Sequence, residues 1–346
     1  MKNSGWNDPH IKIFNFKLTP YIGVGKSLFL WFLFISIVPL LTVSYINYYN
    51  AYEGLAIVTE KTLINSSRLK EDKINSYFTS IEKNLRFQSG LKPNKDFLKD
   101  LSTKYQNNYS NLNDYVTSPN YKDFVEERHH FFKRVRAIND YYNIYLIDVS
   151  GNVLYSVKND NLLGTNIFDG PYAGTKMGTT AEKIIETGQI LFSDFERDIN
   201  NEDFVSGIIG KAIYDDQGKT IGIIAFRILD DDLNNLMMKG KDLGETGLAY
   251  IVGKDLIMRS MSRPGGDTSI LKQKVINEKT QAWLNAYQYA PAAEDENIQT
   301  GQGEIVSSYK GLKDQWVYGI ARNIEKLSDF GVNWAIVEEF ELNEAF

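Results

Sequence analysis

The sequence predicts an α+β protein: one membrane-spanning helix, a long stalk helix after it, and two small antiparallel-sheet modules in tandem. Three observations carry that expectation. An uncharged apolar run from Ser27 to Tyr52 is long enough to cross a bilayer. From Ala51 to about Gly90 there is neither proline nor a turn cluster, and apolar residues recur at helical spacing. Beyond residue 142, short β-branched and aromatic runs alternate with turns rich in Gly and Asp.

Length and charge bound the rest. The chain has 346 residues, more than one hydrophobic core usually organises. Its net charge of -6 is uneven: Lys2, Lys12, Lys17 and Lys26 against Asp8 make the first 26 residues +3, which leaves -9 for the remainder. A mildly acidic body argues against nucleic acid as a partner, because phosphate binding needs a basic footprint. Cysteine is absent, so disulfides, thiol catalysis and Cys-based zinc sites are excluded together.

Taken in order, residues 1–26 form a short basic segment and 27–49 the span. Lysines precede the span, while Tyr45, Tyr48 and Tyr49 follow it as interfacial rings. The positive side stays in the cytoplasm, so residues after about 50 are expected outside the plasma membrane. The run is longer than a signal-peptide core and lacks a small-residue cleavage pattern, which favours a retained anchor. Pro39 is tolerable there, since neighbours in a membrane can satisfy the freed carbonyl. Residues 50–90 form the stalk, with Ile74, Phe78, Ile81 and Leu85 as one apolar stripe. That stripe needs a partner, either the modules themselves or a second copy in a homodimer.

The first module is expected over 91–239. Residues 91–120, punctuated by Pro93 and Pro119, read as short helices and loops, and 121–142 as a helix. Strands Asn143–Val149 and Val153–Val157 flank the turn Asp148-Val-Ser-Gly-Asn152. A loop at 164–178, a helix at 180–187 and a strand at 190–195 follow. A hairpin of 204–214 and 219–229 then turns at Asp215-Asp-Gln-Gly218, and a helix opens with Asp230, Asp231 and Asp232. Helices on one side of an antiparallel sheet are the expected layers. A second module, 240–346, repeats the grammar with strands at 247–252, 256–260, 303–309, 315–321 and 334–339, interrupted by an insertion at 263–302.

Motifs of chemistry are missing. Gly218-Lys-Thr220 is a hairpin turn and no phosphate loop, because Ile213 stands where that loop needs glycine. Glu126 and His130 share a helix face, yet two ligands do not make a metal site. The three acids at 230–232 lack the spacing of a calcium loop, and no serine sits in an elbow motif. Neither catalysis, cofactor nor metal is expected.

Five segments carry a resemblance. Tyr142-Asn-Ile-Tyr-Leu-Ile-Asp-Val-Ser-Gly-Asn-Val-Leu-Tyr155, Gly164-Thr-Asn-Ile-Phe-Asp-Gly-Pro-Tyr172, Phe192-Ser-Asp-Phe-Glu196, Gly244-Glu-Thr-Gly-Leu-Ala-Tyr-Ile-Val-Gly253 and Leu256-Ile-Met-Arg-Ser260 follow one another. Their order resembles the double Cache sensor region of bacterial chemotaxis receptors and transmembrane sensor kinases. The resemblance implies two PAS-like modules stacked on the long helix, a small-molecule ligand in the membrane-distal one, and a signal carried as a small displacement. Family members continue through a second membrane helix into an output domain. This chain ends at Phe346 in what resembles the strand before that helix, which implies a receptor fragment or a truncated product. A stand-alone anchored binding protein is the alternative.

By the same resemblance the pocket lies between the sheet and the loop 164–178, with Tyr155, Tyr172, Phe192, Asp194 and Lys211 as candidate ligand contacts. Asp194 resembles the acid that amino-acid-binding members offer to a ligand ammonium, and Tyr172 their aromatic. The accompanying Arg-x-Trp-Tyr signature is replaced by Gly170-Pro-Tyr172, so an amino-acid ligand is unsupported. Lys211 interrupts the run Ile208-Ile-Gly-Lys-Ala-Ile213, and a lysine there must reach solvent or an anion.

Overall fold

A computed structural model describes residues 23–238, 246–262, 270–289 and 305–342. The basic segment before residue 23, the join expected between the modules at 239–240, the opening of the Gly244 motif, most of the 263–302 insertion and the last four residues lie outside the described residues. Two compact units divide the chain, Met1–Leu55 and Ala56–Phe346.

Within the first unit, helix α1 (Val24–Gly90) begins with a stretch long and apolar enough to cross a membrane, and none of that stretch is buried inside the protein. Pro39 sits inside the helix without ending it.

In the second unit the same helix buries residues spaced three or four apart: Leu63, Ser67, Lys70, Ile74, Phe78, Ile81 and Leu85. The stripe expected from periodicity therefore packs on the chain's own modules. Full burial of the four apolar side chains from Ile74 to Leu85 stabilises the packing by roughly 2 kcal/mol each.

Helices α2 (Lys92–Asn108), α3 (Leu112–Thr117) and α4 (Pro119–Asn139) follow. The polar Asn-rich stretch is thus more helical than expected, because Phe97, Leu98 and Leu101 form a buried face. Ser118 caps α4 by accepting from Tyr121 N–H, with Pro119 pre-set in the first turn.

The first sheet has the order β2-β1-β6-β5-β3, with β4 also on β5, all antiparallel. Its strands are β1 (Asn143–Asp148), β2 (Val153–Ser156), β3 (Leu191–Phe192), β4 (Glu196–Asp198), β5 (Asn201–Tyr214) and β6 (Thr220–Leu229). Both hairpins turn alike: Asp148 accepts from the backbone of Ser150 and Asn152, and Asp215 from Gln217 and Lys219. Gly151 and Gly218 supply the positive φ that each turn needs.

Helices cover both faces of this sheet, against the one-sided expectation. Ile144, Leu146 and Phe226 face the α1–α2–α4 side. Tyr145, Ile147 and Ile223 face α5 (Lys176–Thr187), whose Met177, Ala181 and Ile184 close the second core. An apolar stripe on α5 this wide has to be buried. The strand expected at 190–195 breaks because Asp194 takes φ 62, which turns the chain between β3 and β4.

Helix α6 (Asp230–Met238) leads to the second sheet, ordered β7-β10-β9-β8. Its strands are β7 (Leu248–Gly253), β8 (Ser307–Lys310), β9 (Trp316–Asn323) and β10 (Trp334–Glu341), with α7 (Glu278–Tyr289) and the short α8 (Glu325–Ser328) between them. The strand expected at 256–260 is not formed: that segment makes only isolated bridges, after a positive φ at Leu256. Strand β10 buries acids on both faces. Glu338 pairs with Lys70 of α1 at 2.6 Å, while Glu339 accepts from Tyr250, Tyr309 and the backbone of Leu312.

Candidate functional site

The five side chains expected to share one pocket occupy four places. Tyr155 points to the helical side, packed on Phe97 and Phe132, with its hydroxyl 3.0 Å from His129 Nδ1. Tyr172 belongs to the opposite core, where its hydroxyl accepts from Asn200. Ile167 and Met177 belong to that same buried cluster. Lys211 leaves β5 toward α1, on the same face as buried Ile209 and Ile213.

Only Phe192 and Asp194 come together, through Trp334. Phe192 packs edge-on to that indole, and Trp334 Nε1–H donates to Asp194 Oδ1 at 3.2 Å. Asp194 also accepts twice from Arg259, each at 2.8 Å, and from Lys176 Nζ at 3.0 Å. Arg259 belongs to the segment after β7, so Asp194 is a clasp between the two sheet modules. Burial opposes the Arg259 charge, but the hydrogen bonds and charges of Asp194 and Asp255 outweigh it and raise its pKa.

The first module contains a second charged cluster, centred on Arg227 of β6. The Arg227 residue is 2% exposed. Its Nε donates to Ser206 at 2.9 Å and its Nη2 to Asp198 at 2.8 Å. Nη1 makes only long contacts, 3.4 Å to both the Tyr145 hydroxyl and Asp160. Asp160 also accepts from Tyr145 and, at 3.0 Å, from Asn143, while Ser156 reaches its other oxygen at 3.2 Å. Phe204 lies over the guanidinium at 4.8 Å, and Tyr142 carries Lys158 at 3.5 Å. Burial works against the Arg227 charge, yet Tyr145, Asp198 and Asp160 more than offset it, so its pKa is raised. Burial pushes the Tyr145 hydroxyl well above its ordinary value, which keeps it a donor.

Asp160 connects this cluster to the surface. A groove of about 600 Å³ opens between α3, α4 and the loop after β2, lined by Asn113, Tyr121, Glu126, His129, Asp160 and Leu163. Burial, then Lys133 and His130, lower the His129 pKa, which favours its neutral form. A polar-lined groove ending on a buried Arg–Asp cluster can orient a small polar molecule. Among the described residues, no group of His, Asp and Glu is arranged to hold a metal ion.

Sequence reasoning passed over Arg227, Asp198 and Asp160, although one signal was present. Arg227 interrupts Ile221-Gly-Ile-Ile-Ala-Phe226 and Ile228-Leu229 as Lys211 interrupts its own run. A charge inside a strand buried on both faces needs a partner. The partners themselves come from loops tens of residues away.

No protein-family model matches the sequence, and no curated protein matches it. Solved structures do resemble the fold. The ligand-binding domain of the Pseudomonas aeruginosa PAO1 amino acid chemoreceptor PctB, in complex with L-Arg, aligns with a TM-score of 0.50 at 11% identity, over 83% of this chain and 97% of that one. The sensory domain of the Campylobacter jejuni chemoreceptor Tlp3 aligns at 0.49 and 17% identity, over 85% and 98%. That of the Pseudomonas fluorescens chemoreceptor CtaA, in complex with L-leucine, aligns at 0.48 and 12%, over 85% and 99%. Two antiparallel sheet modules on one long helix, together with the alignment to PctB, give this chain the double Cache fold of chemoreceptor ligand-binding domains.

Proposed function

We propose that this chain is the extracytoplasmic ligand-sensing region of a transmembrane receptor, a chemoreceptor or sensor kinase, and that it binds without catalysing. The observation that carries the reading is the buried Arg227–Asp160–Asp198 cluster at the end of the groove. The long Nη1 contacts make that end of the guanidinium the least firmly held part of the cluster, the point at which a ligand acceptor would compete with Asp160. Val116, Val125 and Leu163 supply the groove's apolar wall, while Tyr142 and Phe204 flank the guanidinium.

Amino acids head the ligand search because PctB is described in complex with L-Arg, although the signature expected for them is missing here. Organic acids and amines come next. Signalling in this reading is a shift of β10 against α1, tied by Lys70–Glu338, while β9 is held to the same helix by Arg322 with Glu71 at 3.6 Å. Shifts of about 1–2 Å between packed helices are the usual scale of such switches. A homodimer through α1 would use a face other than the buried stripe, for example that of Leu69 and Phe87, which are exposed.

A thermal-shift screen of residues 56–346 tests the binding claim. A true ligand at about 100 times its Kd adds about 2.7 kcal/mol of stability. Arg227→Gln should lose that response, and a ligand whose effect survives the change binds elsewhere. Topology is tested by labelling in intact cells. The chain has no cysteine, so Asn108→Cys provides a single reporter on an exposed helix end. Modification by a membrane-impermeant maleimide is expected; protection until lysis overturns the outward orientation.

A further inference from the structure

Lys211 lies at a cleft separate from the Arg227 cluster. The cleft, about 270 Å³, forms where α1, β5 and the residues after α8 meet, and its lining includes Glu82, Arg86, Gln189, Lys211, Asp329 and Phe330. Its charges do not balance. Both acids are already taken: Lys326 Nζ lies 2.7 Å from Glu82 and 2.9 Å from Asp329, and Arg86 holds the other Glu82 oxygen at 2.7 Å.

Lys211 is left over. Among the described residues it has no hydrogen bond or ion pair, only the ring of Tyr214 at 6.0 Å. It is half-buried, and the charge that acts on it is Arg86, of the same sign. Burial and that repulsion together lower its pKa. Three cations against two acids leave one uncompensated positive charge in a partly desolvated cleft, where a counter-ion is worth more than in water. Phe330 and Ile190 give the cleft an apolar wall beside that charge.

We propose that this cleft is a second ligand site, for a small anion with a carboxylate or phosphate head held between Lys211 and Arg86. A short apolar body would rest on Ile190 and Phe330. The site is independent of the one in the groove, and its occupant would touch α1, the first sheet and the segment after α8 at once.

The test uses the full chain in nanodiscs, titrated calorimetrically with sodium butyrate and with inorganic phosphate against sodium chloride at equal ionic strength. Saturable binding of butyrate or phosphate, absent with chloride, is expected, and whichever binds identifies the head group. Lys211→Gln should weaken it at least tenfold, Lys211→Arg less than threefold. Asp329→Asn, which adds to the positive surplus, should tighten it, a gain that misfolding does not mimic. The proposal is overturned if neither anion binds saturably, or if Lys211→Gln binds as the wild type does.

Discussion

Replacing Arg259 by methionine tests the clasp between the modules most directly. The guanidinium makes two 2.8 Å hydrogen bonds to Asp194 and one to Asp255, and its side chain is 3% exposed. Removing one member of a buried pair typically costs 3–5 kcal/mol, because the other charge stays behind without its partner. Asp194 retains Lys176 and Trp334 Nε1, and its carboxylate is 17% exposed, so the loss is expected near the lower end, about 3 kcal/mol. Asp255 is 44% exposed, and Asp255→Asn should cost under about 1 kcal/mol. The assay is equilibrium urea unfolding of residues 56–346 at pH 7, with tryptophan fluorescence as the signal, since Trp334 sits in the clasp. A double-mutant cycle of Arg259→Met with Asp194→Asn should return a coupling of about 2 kcal/mol. A coupling below about 0.5 kcal/mol, within the additivity error for independent sites, would refute the clasp.

Three further outcomes are expected. Gly207→Ala should destabilise by about 1–3 kcal/mol, because its Cβ would lie 2.5 Å from the Asp194 carbonyl oxygen and 2.7 Å from the Phe192 ring; urea unfolding measures it. Arg227→Ala should cost about 3–5 kcal/mol by stranding Asp198 and Asp160, whereas Arg227→Met with Asp198→Leu should recover part of that loss in the same measurement. Burial, then Asp231, push Asp230 from an ordinary 3.8 up to about 6, so the native state binds this proton more tightly than the unfolded chain does. Its contribution to stability is therefore complete below about pH 3.8 and lost as pH rises to about 6. Asp230→Asn should gain on the wild type across that interval in pH-dependent unfolding, and parallel curves would show that Asp230 titrates normally.

Much of the architecture was legible because its causes are local. Ile74, Phe78, Ile81 and Leu85 announce a helix and its buried face by spacing alone, and all four are buried. Asp148 and Asp215 announce the hairpins, since an aspartate that accepts from the backbone two and four residues on is a short-range device. The candidate site was legible only in part. Asp194 stood out by its resemblance, but its partners Arg259 and Trp334 lie 65 and 140 residues further along the chain.

By itself, then, the sequence determined the apolar span, the stalk stripe, the paired antiparallel modules and the absence of disulfides. Tertiary structure decided that Asp194 turns away from a strand at φ 62 to hold Arg259, that Arg227 closes on Asp160 and Asp198, and that Lys211 is left facing Arg86. The division has one physical reason. Periodicity and turn chemistry act over a few residues, whereas the partner of a buried charge is whichever opposite charge the packed chain brings within about 3 Å.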